Sequence, residues 1–442
     1  MPHVAERVSD LTLHLAETAH VDGDRLVVDD EKAFRSGSIR DLAWTAAFGK
    51  DDSVVAAAQW LIHEAARVLG AHSASIHELY MARVAFEAAT DGDVGAFILE
   101  LARSEQTYTY QRPADYATSI LAGAIAAGWQ GPVFIQGDHY QFNAKKYATD
   151  PEAMTEEIRR ACRLAIDAGY RNVDIDSSTL VDLSKPTRDA QQHENYVRAA
   201  ELTALIRSLE TDGVTVSVGG EIGEVGKENS TVEELRAYMD GFDAARGDVA
   251  GVSKVSVQTG TTHGGVPMAD GRVADVKLDF DVLHRLGEVA RSSGLAGAVQ
   301  HGASTLPDEL FHRFPAVETA EIHLATGFQN TLYEHPAFPK ELHREIERWC
   351  FENAQDERKP GQTDEQFVYT TRKKTIGPFK RQLWDLPTKD EILAAQRRKI
   401  AFLFTELGVN ESRSMVDRYI HPVEQRRPVP DALREATAGA AG

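Results

Sequence analysis

The central part of the chain alternates between short apolar runs and longer segments with helical periodicity. Between residues 94 and 330, the helical segments carry apolar residues at positions i, i+3 and i+4 and end at a glycine, as in "DPEAMTEEIRRACRLAIDAG". The short runs between them predict strands. In chain order these runs are "GAFILELA", "GPVFIQG", "RNVDIDS", "VTVSVGGEI", "SKVSVQTG", "AGAVQHG" and "AEIHLAT". An earlier run, "HSASIHEL", fits as a first strand.

This alternation of strand and helix predicts parallel strands joined by right-handed crossovers. Eight strands in such an order favour an α/β fold of the (β/α)8 TIM barrel type over an open sheet. We therefore predict a barrel over residues 69–335. Residues 1–68 are predicted to form an N-terminal helical extension, and residues 336–442 a C-terminal helical extension whose tail is disordered.

Polar side chains follow the predicted strands at the end where a parallel barrel places its active site. Three histidines lie beside glycines, and carboxylates follow the strands between them. Imidazoles that converge from different strands suit a zinc-type ion, and a site with nearby carboxylates and no cysteine also accepts cobalt or manganese. The residues at these strand ends are Asp138, His139, Asp176, Glu221, His263, His301 and His323.

The glycines beside two of these histidines have a use of their own. Gly264, Gly265 and Gly302 let backbone N–H groups approach a ligand, and such amides form a cradle for an anion such as phosphate. Ser304 adds a hydroxyl group to this cradle. The alternative interpretation is that the glycines only permit tight turns between strand and helix.

The formal net charge of −20 argues against nucleic acid or an anionic membrane as a partner. The two cysteines are far apart, which disfavours a disulfide scaffold. Neither a signal peptide nor an apolar run of membrane-spanning length is evident, so a cytoplasmic location is expected. The basic segment "TTRKKTIGPFKRQLW" predicts a solvated face or a subunit contact, with anion binding as the alternative.

The ordered elements "GDH", "GEIGEVGKE", "TGTTHGG", "QHGAST" and "EIHLATGFQ" resemble the class II, metal-dependent fructose-bisphosphate and tagatose-bisphosphate aldolases over roughly residues 70 to 335. The resemblance implies a (β/α)8 barrel with Asp138 as the catalytic acid/base and Glu228 as the proton-abstracting glutamate. The metal ligands that it implies are His139, His263 and His301, with Asp176 and Glu221 at a second or alternative metal position.

The last strand departs from the family pattern Asn-x-Asp-Thr-Asp. Here His323 takes the place of the Asn, both Asp positions are changed, and Thr326 is kept. Both are predicted to bind substrate, as is Ser104, which the unusual segment "FILELARSEQTYTYQRP" brings near the mouth of the barrel. Selectivity for the sugar is therefore expected to differ from that of ordinary bisphosphate aldolases.

The resemblance implies a metal-dependent lyase of carbohydrate metabolism that cleaves or forms a ketose (bis)phosphate through the zinc-stabilised enediolate of a dihydroxyacetone-phosphate-like half. The alternatives are a metal-dependent sugar-phosphate isomerase or epimerase and a non-catalytic aldolase-like subunit. Zn²⁺ is the expected cofactor, with Co²⁺ or Mn²⁺ as substitutes and a monovalent cation in addition. The expected partners are a phosphorylated sugar and further copies of the chain in a homodimer or homotetramer.

Overall fold

The computed structural model describes residues 3–69, 71–72, 79–223, 228–260, 278–421, 423 and 426–440. Within these ranges the strands form one large parallel sheet and two small pairs. The strands are β1 (Ala19–Asp22), β2 (Arg25–Val28), β3 (Ala71–His72), β4 (Ile98–Ala102), β5 (Gly131–Pro132), β6 (Phe134–Gln141), β7 (Asn172–Asp176), β8 (Ser217–Glu221), β9 (Lys254–Val257), β10 (Ala298–Gln300) and β11 (Glu321–Ile322).

The large sheet has seven strands in the order β4-β6-β7-β8-β9-β10-β11, and every neighbouring pair is parallel. Each strand therefore pairs with the next strand of the sheet along the chain. This confirms seven predicted strands and their order. The remaining one, "HSASIHEL", lies largely on residues 73–78, outside the described residues, so closure by an eighth strand stays a prediction.

The sheet curls strongly. In a flat sheet of seven strands the two edges would lie about 29 Å apart, from six spacings of about 4.8 Å. Yet Glu100 on the edge strand β4 lies 2.9 Å from His323, which directly follows the opposite edge strand β11. The curvature therefore brings side chains from both edges into one shared interior, which is consistent with a TIM-like fold.

Helices surround the sheet and carry both extensions. The helices are α1 (Val8–Leu15), α2 (Glu31–Ala33), α3 (Ile39–Phe48), α4 (Asp52–Val68), α5 (Leu79–Asp91), α6 (Arg103–Tyr108), α7 (Pro113–Ala126), α8 (Ala144–Thr149), α9 (Pro151–Ala168), α10 (Arg188–Leu209), α11 (Val232–Arg246), α12 (Phe280–Ser292), α13 (Arg313–Ala316), α14 (Thr326–Tyr333), α15 (Lys340–Asn353), α16 (Asp364–Thr371), α17 (Lys380–Trp384), α18 (Lys389–Glu406), α19 (Arg413–Tyr419) and α20 (Asp431–Ala440). Short 3-10 turns cover Ser178–Leu180, Ala303–Thr305, Asp308–Leu310, Gln355–Glu357 and Arg372–Thr375, and a π-helical turn covers Phe34–Ser38.

The crossover helix α9 shows how local sequence sets these elements. Asp150 caps its first turn by accepting a hydrogen bond from the backbone N–H of Ala153, and Pro151 occupies the first helical position. Gly169 ends the helix with a φ of 101°, a conformation that a side chain disfavours. The apolar stripe between these signals, including Ile158 and Cys162, is buried. The helix therefore starts, ends and packs where its sequence pattern predicts.

Both extensions pack onto the core of the sheet. The main hydrophobic core runs from the N-terminal helices through the sheet, and it includes Trp44 and Ile135. The N-terminal extension also contains the hairpin β1–β2, which the prediction of a purely helical segment did not include. The tail that was predicted to be disordered forms α20, whose Leu433 is buried in the same core. Among the described helices, none is long and apolar enough to cross a membrane.

Candidate active site

Strand β6 ends in a bulge that directs two consecutive side chains to the same site. Gly137 pairs with Val173 and Tyr140 pairs with Ile175, so Asp138 and His139 together stand opposite one residue of β7. His139 takes a φ of +44°, a left-handed conformation that is uncommon for a residue with a side chain. The bulge thus explains how a carboxylate and an imidazole that are adjacent in sequence both face the interior of the curled sheet.

Three strand-end residues form a group that can hold a metal ion. Ligand atoms of His139, Glu221 and His301 all lie within 4.8 Å of one another. The Glu221 Oε2 is 3.8 Å from His139 Nδ1 and 3.9 Å from His301 Nε2. Two imidazoles and a carboxylate are donors that zinc, cobalt and manganese accept, so the residues present fit the expected cofactor. The third predicted imidazole, His263, lies outside the described residues.

Neighbouring groups orient the two imidazoles. The Asp176 Oδ2 lies 3.1 Å from His139 Nδ1, and the Ser256 hydroxyl lies 2.9 Å from His301 Nε2. Asp176 also accepts hydrogen bonds from Gln141 and from the Ser178 hydroxyl. Asp176 thus contacts the same ring nitrogen of His139 that faces Glu221, and its role at a second or alternative metal position stays a prediction.

The charges at the site favour a cation. Burial by itself lowers the pKa of His139, but Asp138, Asp176 and Glu221 raise that pKa well above its usual range. Carboxylates that hold a proton on an imidazole also attract a divalent ion to its ring nitrogen. The site is therefore suited electrostatically to a metal ion.

Asp138 is a buried carboxylate held between two histidines. Its Oδ1 lies 3.2 Å from His323 Nδ1, and its Oδ2 lies 3.6 Å from His139 Nε2. Burial tends to raise the pKa of Asp138, yet His139, His301 and His323 hold it well below its usual range. The group is thus held as an ionised carboxylate beside the candidate metal ligands.

The comparison with known proteins is decisive for the family. The sequence model described as "Fructose-bisphosphate aldolase class-II" matches residues 56–380, about three quarters of the chain. The chain belongs to the class II fructose-bisphosphate aldolase family. The resemblance read from the sequence motifs is thereby confirmed, and membership of this family indicates an enzyme, of a family that is typically metal-dependent.

Solved structures show the same fold at low sequence identity. The fructuronate-tagaturonate epimerase UxaE from Cohnella laeviribosi, in a glycerol complex, is 13% identical, with a TM-score of 0.55 and 89% of each chain covered. A probable tagatose 6 phosphate kinase from Sinorhizobium meliloti 1021 is 17% identical, with a TM-score of 0.50, and the match covers 83% of this chain and 96% of that chain. A search of curated protein sequences found no significant match.

In this class II aldolase-family chain, most of the predicted substrate-binding residues border one cavity. The cavity has a volume of about 1010 Å³, and Asp138, His139 and His301 contribute to its wall. The predicted substrate-binding residues that line it are Ser104, Gly302, Ser304, His323 and Thr326. The remaining two, Gly264 and Gly265, lie outside the described residues.

The Gly302 region joins the site to helix α14. Gly302 adopts a left-handed φ of 71°, and the Ser304 hydroxyl accepts a hydrogen bond from the Ala325 backbone N–H at 2.9 Å. Thr326 begins α14 directly afterwards. Hydroxyl groups and the start of a helix therefore lie together on the cavity wall, where the anion cradle was predicted.

His323 has a different environment from the one predicted for a substrate-binding residue. It is only 7% exposed, and its Nδ1 lies between Asp138 and Glu100, at 3.2 and 2.9 Å. Its Nε2 lies 2.7 Å from Glu321 Oε1. His323 thus holds the candidate acid/base in place, in addition to bordering the cavity. Substrate contact by this residue stays a prediction.

Glu228 is not brought to the site by the described part of the chain. Its side chain is exposed to solvent, and residues 224–227 before it lie outside the described residues. No hydrogen bond or ion pair among the described residues links it to Asp138. Its predicted role as a proton-abstracting glutamate therefore stays a prediction.

A buried ion cluster beneath Asp138 was missed from the sequence. The Lys254 ammonium contacts Glu321 Oε1 at 2.5 Å, Gln136 Oε1 at 2.5 Å and Asp174 Oδ1 at 3.2 Å. Asp174, Glu321 and His323 are close enough to hold a metal ion, but the lysine supplies the positive charge there. The only sequence signal was a charged residue inside otherwise apolar strands, as in "SKVSV" and "NVDID".

Proposed function

We propose that the chain is a metal-dependent aldolase that cleaves or forms a ketose (bis)phosphate through the enediolate of a dihydroxyacetone-phosphate-like half. One observation carries this proposal. The bulge in β6 sets the buried base Asp138 against a group of metal-compatible side chains, and both border a cavity large enough for a sugar. Aldol cleavage needs this pair of functions side by side: an electrophile for the ketone and a base for the hydroxyl proton.

His139, Glu221 and His301 would hold the divalent ion, together with the predicted ligand His263. Zinc is proposed first, with cobalt or manganese as substitutes. When bound, such an ion polarises a ketone and stabilises negative charge on its oxygen.

The residues of the chain manage the proton and the position of the substrate. In the cleavage direction Asp138 accepts the proton of the hydroxyl group on the carbon that becomes the aldehyde, and in synthesis it returns that proton. His323 and its partner Glu100 hold the Asp138 carboxylate against the cavity. The proton of the enediolate carbon is assigned to Glu228.

Binding of the phosphate is assigned to hydroxyl and amide groups at the other wall. Ser304, Thr326 and the backbone at Gly302 present neutral donors to the cavity, and a phosphate bound by such donors needs no lysine. A phosphorylated sugar as ligand, and a homodimer or homotetramer as assembly, remain proposals.

A second candidate function is epimerisation of a ketose derivative. Support comes from the fructuronate-tagaturonate epimerase, whose fold covers 89% of this chain including most of its extensions. An epimerase would use Asp138 and the metal group on the same kind of substrate but would release no aldehyde. Its product would be an inverted sugar of unchanged mass.

One experiment separates the two candidates. The zinc-loaded protein is incubated with fructose 1,6-bisphosphate, tagatose 1,6-bisphosphate, their 1-phosphates, fructuronate and tagaturonate. Triose release is followed by a coupled assay and stereochemical inversion by NMR. An aldolase releases triose and exchanges the α-proton of dihydroxyacetone phosphate with solvent. The Asp138→Asn variant should lose triose release but keep the exchange, because the proton of the enediolate carbon is assigned to Glu228. Inversion without triose release or proton exchange would replace the aldolase proposal by the epimerase.

A further inference from the structure

The basic segment near residue 375 stands out in an acidic chain, and the structure divides its cations into two sets. Three of them serve the fold. Arg372 is buried and contacts Glu334 at 2.6 Å, Lys374 forms an ion pair with Glu357, and the Arg381 guanidinium lies over two aromatic rings of the N-terminal extension. These three cations therefore have structural partners.

The other two cations, Lys373 and Lys380, lie on the wall of the cavity that contains Asp138. The Lys380 ammonium donates a hydrogen bond to the Tyr110 carbonyl oxygen at 3.1 Å, and burial lowers the pKa of Lys380 to about 8. The Lys373 ammonium lies 5.9 Å from the centre of the Tyr108 ring. Among the described residues, no carboxylate lies within ion-pairing distance of Lys373, so its charge is available to a ligand.

Glu105 connects Lys373 to the catalytic side of the cavity. It is partly buried, accepts a hydrogen bond from the Tyr108 hydroxyl at 2.8 Å and borders the cavity. Burial raises the pKa of Glu105, the charge of Lys373 opposes this rise, and the charge of Asp138 adds to it. Glu105 also accepts a hydrogen bond from the backbone N–H of Ala102, which pairs with Asp138 in the sheet. These contacts link the Tyr108 ring beneath Lys373 to the strand end that carries Asp138.

The cavity otherwise presents negative charge. Glu100, Glu105, Asp138 and Glu321 all contribute to its wall, and a bound divalent ion would offset this charge only at one end. A second anionic group of the substrate, which the metal ion does not bind, therefore needs a positive partner in the wall. Lys373 is the cation in the described wall that meets this need, because the other two lysines there, Lys380 and Lys389, donate to backbone carbonyl groups.

We propose that Lys373 binds an oxyanion of the substrate at the cavity wall formed by Tyr108 and Glu105, and so selects for sugars with a second negative charge. The proposal rests on the proposed function in that the substrate is a ketose derivative. The oxyanion is a phosphate of a ketose bisphosphate or a carboxylate of a keto-sugar acid. Ser304 and Thr326 would serve the first phosphate.

The test compares Lys373→Met with Lys374→Met in the full-length, zinc-loaded protein. The two variants remove the same charge from adjacent positions, but Lys374 is paired with Glu357 and does not line the cavity. Binding is measured by calorimetry with fructose 1,6-bisphosphate, fructuronate and fructose 1-phosphate. The last probe keeps the phosphate at one end and lacks a charge at the other. The variant Lys373→Arg tests whether charge at this position is sufficient.

The expected result is that Lys373→Met weakens binding of the bisphosphate, the sugar acid or both about five- to tenfold, the range of one charge-assisted hydrogen bond at a partly exposed site. Binding of fructose 1-phosphate should change less than about twofold, and Lys373→Arg should retain most of the affinity. The probe that responds identifies phosphate or carboxylate as the recognised group.

Three outcomes would overturn the proposal: equal weakening for fructose 1-phosphate, equal effects of the two methionine variants, and no binding of any of these probes to the wild-type protein. Because calorimetry needs no turnover, the result is separate from the proposed reaction. Selective weakening without triose release would keep the anion site and reject the aldolase. Triose release with unaltered affinities in Lys373→Met would do the reverse.

Discussion

Replacement of Asp138 by asparagine tests the centre of the proposed mechanism. Asparagine has nearly the same shape, and its side-chain oxygen can keep the 3.2 Å contact with His323 Nδ1. The other contact of the carboxylate, 3.6 Å to His139 Nε2, is already longer than a hydrogen bond. None of the candidate ligands His139, Glu221 and His301 is altered. We therefore expect metal binding to persist and the free energy of unfolding to change by about 1 kcal/mol or less.

The catalytic loss should be much larger than the loss of stability. An amide cannot accept the hydroxyl proton, and loss of a general base costs a factor of about 10² to 10⁴ in rate. At about 1.36 kcal/mol for each factor of ten, this corresponds to roughly 2.7 to 5.4 kcal/mol in the barrier. The difference between the two free energies is what separates a catalytic role of Asp138 from a structural one.

The assay measures kcat for triose release, metal per chain by mass spectrometry, and unfolding in urea, all on the same preparation. Asp182→Asn is the matched control, since Asp182 is exposed and its side chain contacts Ser184 and Lys185, which are close to it in the chain. The control should behave like the wild type in all three measurements. A kcat within about threefold of wild type in the fully metal-loaded Asp138→Asn variant would refute the assignment.

Three further changes test the metal group, the buried ions and the bulge. His301→Ala should remove most of the bound zinc, because a site of few protein ligands rarely tolerates the loss of an imidazole, and a full equivalent of metal in this variant would exclude His301 as a ligand. Lys254→Met should lower the free energy of unfolding by about 3 to 5 kcal/mol, since it leaves the buried Asp174 and the partly buried Glu321 without their cation. An unchanged midpoint of urea denaturation would contradict this. Gly137→Ala should destabilise the chain by about 1 to 3 kcal/mol, because a Cβ would lie 2.3 Å from a ring carbon of Tyr140 in the bulge. Gly37→Ala is the control, since open space surrounds Gly37, and equal thermal stability of the two variants would argue against the bulge geometry.

Much of the fold and the family could be derived from the sequence, since these depend on local signals. Seven of the eight predicted strands form in the predicted order, because apolar runs between capped helices report strand and helix without knowledge of their neighbours. The same locality applies to the strand-end residues. All of them lie at one edge because the strands are parallel. The convergence of His139, Glu221 and His301 also needs the curl of the sheet, because β6, β8 and β10 are not neighbours in it.

Other features of the site depend on contacts between distant parts of the chain. The environment of His323 is an example, since its imidazole meets Asp138 and Glu100 only after the sheet curls, across separations that no local pattern reports. The bulge at His139 is likewise a property of the pairing of β6 with β7. The basic segment around Lys373 shows the difference most clearly. Its charge could be read from the sequence, but packing of the C-terminal helices decided which cations are paired inside the fold and which face the cavity, because that partition depends on distances between elements far apart in the chain.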